Sequence, residues 1–193
     1  MTAWYVNRAA GLVAWALLSA SVVLGVLLSS KLLGRWVRPN WQLDLHRGTS
    51  ALAVAFTAVH VAGAVADGWV HIGWAEALVP GASAWRPWAI AWGIVTMYLL
   101  VAVEASSLLR RHLPTHVWKR IHLLSFPLFA SATAHGITAG TEMGTTLGIA
   151  VAATVTAAVA GLTAMRVVAE LDRADEPTPP APVRVPVRTG TPC

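Results

Sequence analysis

The stretch Trp118–Gly136 reads WKRIHLLSFPLFASATAHG and decides the fold class. It is long and apolar enough to lie in a membrane, yet it carries His122 and His135 near its two ends. An earlier stretch, Leu43–Gly63, reads LDLHRGTSALAVAFTAVHVAG and repeats the arrangement with His46 and His60. The spacings are 14 residues in the earlier stretch and 13 in the later one.

Working outward, 56% of the 193 residues are hydrophobic and only 12% are charged. A soluble domain carries about 25% charged residues. A spanning helix needs roughly 20 apolar residues, and in lipid each segment must satisfy its own backbone. The expectation is an all-α integral membrane protein, a bundle of about five transmembrane helices over 11–30, 43–66, 88–109, 118–138 and 145–168. The first run follows a single base, Arg8, as a signal peptide would. It is too long for a signal core and a basic segment follows directly, so it reads as a retained helix. The loop 67–87 carries Trp69, Trp74 and Trp85, with Trp88 just beyond, and has room for a short amphipathic segment at headgroup level. The last stretch, 172–193, is polar and Pro-rich and is expected to be a disordered cytoplasmic tail. It offers no Gly-rich phosphate loop on a strand–helix unit, so reductant is expected from a separate flavoprotein or a membrane quinol.

The net charge of +5 does not argue for nucleic acid, because the bases flank apolar runs instead of clustering on one face. Lys31, Arg35, Arg38, Arg47, Arg110, Arg111, Lys119, Arg120, Arg166, Arg173, Arg184 and Arg188 fall on one side of a five-helix topology, 12 of the 14 bases. Only Arg8 and Arg86 fall on the other. The positive-inside rule then puts the N-terminus outside and the C-terminus in the cytoplasm, in a plasma or inner membrane. The single cysteine, Cys193, says nothing about redox compartment.

This topology gives the histidines matched depths. The second and fourth helices run the same way, so His46 and His122 share an inner level and His60 and His135 an outer one. The levels lie roughly 20 Å apart at 1.5 Å per residue. A lone membrane histidine is usually a packing residue. Four at matched depths point to function, and imidazole is a good iron ligand. One histidine from each helix can clamp a haem iron from both sides, and two levels give two haems. A 14-residue step returns to within about 40° of the same face, whereas a 13-residue step leaves about 140°. Pro127 lies inside the second interval and is expected to kink the helix.

The remaining polar residues are weighed against this. His71, His112 and His116 read as surface residues. Arg47 and Arg120 are the first candidates for haem propionates, ahead of Lys119 and Arg86. Glu104 is expected to pair with a base.

The two-helix pattern, together with the Trp118-Lys119-Arg120-Ile121-His122 opening, resembles the ferric reductase-like transmembrane domain, over about Gly11–Val168. That superfamily includes ferric reductases, NADPH oxidases and methionine sulfoxide reductase haem subunits. The resemblance implies two b-type haems, with His46 paired to His122 and His60 to His135. It also implies an electron conduit from the cytoplasmic side to an outer acceptor. The family often has six membrane helices; a sixth here would precede Gly11. Two other functions compete. One is a non-catalytic haem-containing anchor of a separate oxidoreductase. The other is a transporter, against which stand the absence of an internal repeat and of acidic residues at helix centres.

Overall fold

Where a chain is this apolar, helices form wherever proline and glycine do not interrupt them. The computed structural model describes residues 2–30, 38–67 and 72–174. Within them run α1 (Thr2–Ser30), α2 (Pro39–Ala66), α3 (Trp74–Leu78), α4 (Pro87–Leu108), α5 (Thr115–His122), α6 (Ser125–Ala139) and α7 (Thr146–Ala174), with a 3₁₀ turn at Arg110–His112. No strand occurs among the described residues. Both α2 and α4 start on a proline, where the missing N–H costs nothing because the first turn has no partner for it.

Four helices, α1, α2, α4 and α7, are long and apolar enough to cross a membrane. Their large outward side chains are bare of protein: Trp88 is 82% exposed and Leu147 76%. Such a surface belongs in lipid, where apolar exposure carries no penalty.

The expected fourth helix over 118–138 is in fact two helices. α5 ends at His122, Leu123 and Leu124 form a turn, and α6 begins at Ser125. Pro127 is the cause, acting one turn upstream of itself. It has no N–H for the Leu123 carbonyl, which accepts instead from Phe126 N at 3.2 Å. The turn is a tightened one, with ψ near −19° at Leu123 and −9° at Leu124. α6 alone has 15 residues, or about 22 Å, and reaches across the bundle only together with α5.

The other bounds shift modestly. α1 begins nine residues before the expected Gly11, and α7 runs six residues past the expected Val168, so residues 172–174 of the expected tail are helical. Among the described residues of the loop 67–87 the only helix is the five-residue α3, with no buried residue; Tyr98 on α4 donates its hydroxyl to the Leu78 carbonyl at 2.6 Å. Trp69, His71, Lys31, Arg35 and the stretch 175–193 lie outside the described residues.

α1 packs along α2, and α4 packs along α6; α1 also touches α6 and α7. The core cluster contains Leu18, Ala53, Leu100, Leu128 and Phe129. Ala53 lies midway between His46 and His60, and Leu128–Phe129 midway between His122 and His135. The core cluster is therefore an apolar layer lying between the two histidine levels.

Candidate haem-binding site

Each level holds one facing pair of imidazoles. The ring centroids of His46 and His122 are 6.1 Å apart, with planes at 75°. Those of His60 and His135 are 6.0 Å apart, also at 75°. The pairs are those expected by depth. The turn at Leu123–Leu124 adds rotation to the 13-residue interval: a 3₁₀ residue turns about 120° against 100° in an α-helix, so two of them recover about 40° of the 140° offset.

Helix backbones orient the rings. His60 Nδ1 donates to the Asn7 carbonyl at 2.9 Å, His135 Nδ1 to the Ala89 carbonyl at 2.8 Å, and His46 Nδ1 to the Ser21 carbonyl at 2.9 Å. A carbonyl only accepts, so each of these Nδ1 atoms carries a proton, and in the neutral ring Nε2 is then the nitrogen with the lone pair. This is the ring state that a metal ligand needs, and the partner that fixes it also raises ligand basicity. The Ser21 hydroxyl adds a contact to His46 Nδ1 at 3.1 Å and meets Ser50 Oγ at 2.7 Å.

Three glycines make room. A Cβ on Gly11 would lie 2.8 Å from His60 Nδ1, one on Gly93 2.7 Å from His135 Cε1, and one on Gly25 3.3 Å from His46 Cε1. These glycines seat the candidate rings, and nothing in the sequence alone singles them out as such. Gly11 and Gly25 are 14 residues apart, echoing His46 and His60 on the antiparallel neighbour.

At the His60–His135 level the helices enclose a cavity of about 410 Å³, lined by Asn7, Gly11, His60, Gly93, His135 and Met143 among others. That is the size of a small-ligand or cofactor pocket. Arg8 lines it too and forms an ion pair with Glu142 of the α6–α7 connection. The Asn7 Oδ1 is buried without a hydrogen-bond partner. At the other level Trp118 stacks on His122 at 5.1 Å, and Arg110 lies 4.3 Å over the Trp118 ring. The Trp118 indole N–H is the second buried polar group without a partner among the described residues.

The donor set fits a metal that brings its own equatorial ligands. Among the described residues no three His, Cys, Asp or Glu side chains converge, whereas a bare zinc ion asks for three or four. Two imidazoles suit the two axial positions of a haem. With metal–nitrogen bonds of about 2.0–2.1 Å and about 1.1 Å more from nitrogen to ring centroid, two rings clamping one ion sit about 6.2 Å apart. Both pairs meet that spacing.

The charged candidates are less engaged. Arg47, Lys119 and Arg120 are exposed. Arg86 donates from Nη1 to the Thr138 carbonyl at 2.7 Å, tying α4 to the end of α6, and sits at φ 41°. Glu104 is half-buried on α4 and forms no ion pair among the described residues, so the pairing expected for it is not made. His112 and His116 are exposed, as surface residues are.

Apolar spanning helices around paired imidazoles define a multi-pass helical membrane protein, embedded in lipid. A family model described as the ferric reductase like transmembrane component matches residues 10–133, more than half of the chain. The chain belongs to that family, which supports a role in membrane electron transfer. The match includes His46, His60 and His122 and stops two residues before His135. No curated protein and no solved structure matches the chain.

Proposed function

We propose that the protein is a transmembrane electron conduit binding two b-type haems, one between His46 and His122 and one between His60 and His135. The observation that carries this reading is the pair of facing imidazole couples, both at a spacing at which two rings would hold one iron, with Nδ1 engaged by a carbonyl in three of the four rings. Haem supplies one-electron chemistry when bound. The chain orients the ligands, keeps water out with the apolar layer around Ala53 and Leu128, and holds the levels roughly 20 Å apart. Arg47 and Arg120 are the bases available to propionates at the inner level, and Arg8 lines the outer cavity.

The charge asymmetry supports placing the His46–His122 level at the cytoplasmic face and the N-terminus outside. Electrons then pass from a separate flavoprotein or quinol to an outer acceptor. A pyridine haemochrome assay on the purified protein is expected to find two haem b per chain; none would sink the reading. Direction is tested in sealed vesicles: the haems are expected to be reduced by a donor on the cytoplasmic side and reoxidised by an impermeant oxidant on the other. Haems that respond only in the reverse sense would overturn the assigned flow.

A further inference from the structure

Three of the four imidazoles are seated by one rule. The ring lies over a glycine of the neighbouring helix, and its Nδ1–H donates to the carbonyl four residues earlier. The pairs are Asn7 and Gly11 for His60, Ser21 and Gly25 for His46, and Ala89 and Gly93 for His135. The rule follows from helix geometry. A helical carbonyl points toward the residue four ahead, and without a Cβ there a side chain can reach its second lone pair.

One 14-residue step along α4 from Ala89 and Gly93 leads to Val103 and Ser107, opposite His122. There the rule breaks twice. Ser107 carries a side chain, whose Oγ stands 3.5 Å from His122 Nδ1, the outer limit of a hydrogen bond. The Val103 carbonyl accepts instead from Ser106 Oγ at 2.9 Å. Among the described residues no backbone carbonyl bonds His122. A hydroxyl can give or accept, so the tautomer of this ring alone is not imposed. Its helix is also the least anchored: α5 has eight residues and none is buried, packs chiefly on α4, and is followed by the Leu123–Leu124 turn. Segments with few buried contacts open at low free-energy cost.

We propose that His122 is the exchangeable ligand of the four. On the haem reading above, α5 carries this imidazole away from His46 and leaves one inner coordination position for a small neutral ligand, while the outer pair stays closed. Ser107 is the positioning residue that keeps the position exchangeable by denying the ring a glycine seat.

The test uses the purified full chain, reduced with dithionite and titrated with carbon monoxide. About half of the haem is expected to form the carbonyl complex. Ser107→Gly, which recreates the seat used at the other three positions, is expected to slow carbon monoxide binding about fivefold, the equivalent of one added hydrogen bond. In His135→Ala, whose altered outer level is set aside by reading only the surviving inner haem, the fast-binding fraction is expected to persist. Carbon monoxide binding to neither haem, equal binding to both, or a rate indifferent to Ser107→Gly would each overturn the proposal. Failure of the haem reading itself looks different, because the protein would then contain no haem to titrate.

Discussion

The two histidine levels reach nearly the same geometry by different means. At the outer level both rings are pinned between a glycine and a carbonyl, on α2 and α6, beside a cavity whose lining includes the ion-paired Arg8 and Glu142. At the inner level one ring, His46, is held by Ser21 and the Ser21–Ser50 hydroxyl contact, and its partner leans on the flat face of Trp118. The ring separations differ by only 0.1 Å, yet one level is built on the bundle's rigid parts and the other depends on an eight-residue helix beyond a break. Equal distances need not mean equal stiffness.

The most drastic way to break the comparison is to remove a ligand. His135→Ala is expected to abolish the outer haem and leave the inner, halving haem content by pyridine haemochrome, and His122→Ala to do the reverse. Equal haem in both variants and in the native protein would refute the assignments. Next comes Pro127→Ala. It returns an N–H to the Leu123 carbonyl, so α5 and α6 are expected to fuse and restore the 140° offset of an unbroken helix. His135 keeps its seat on Ala89 and Gly93, so the low-spin signal in electron paramagnetic resonance should be lost at the inner level alone.

Smaller effects sharpen the contrast. A methyl at Gly93 or Gly11 would press within 2.7–2.8 Å of a ligand ring. Overpacking of that kind costs about 1–3 kcal/mol, so Gly93→Ala and Gly11→Ala are each expected to weaken haem retention about ten- to hundredfold, measured by transfer to apomyoglobin. Gly25→Ala, at 3.3 Å, should be milder. The smallest change is expected from Ser50→Ala, which removes the partner of the Ser21 hydroxyl for about 1 kcal/mol. Redox titration should show the inner midpoint potential moving and the outer one unmoved.

Much of this site is legible in the chain before any coordinates. His46, His60, His122 and His135 stand out because an ionisable group within an apolar run is rare, and the count of loop bases sorts them into two depths. The glycines were not read, since glycine in a membrane helix has a ready explanation in close helix packing. Only the neighbouring ring turns Gly11 or Gly93 into a seat. Pro127 marks a kink between His122 and His135 in the sequence, and the break falls at Leu123–Leu124 because a proline acts on the carbonyl four residues earlier. Arg8 was counted as a topology marker, and its link to Glu142 joins the first turns of α1 to a connection 134 residues later.

Sequence by itself determined the lipid-embedded helical class and the two histidine levels. Composition and periodicity are properties of each helix alone, and depth follows from rise per residue. Tertiary structure decided how each imidazole is held: by a bare carbonyl over glycine at three positions, and by a serine and a stacked indole at the fourth. Those contacts are made between helices, where the register of α1 on α2 and of α4 on α6 sets the partner and no single segment encodes it.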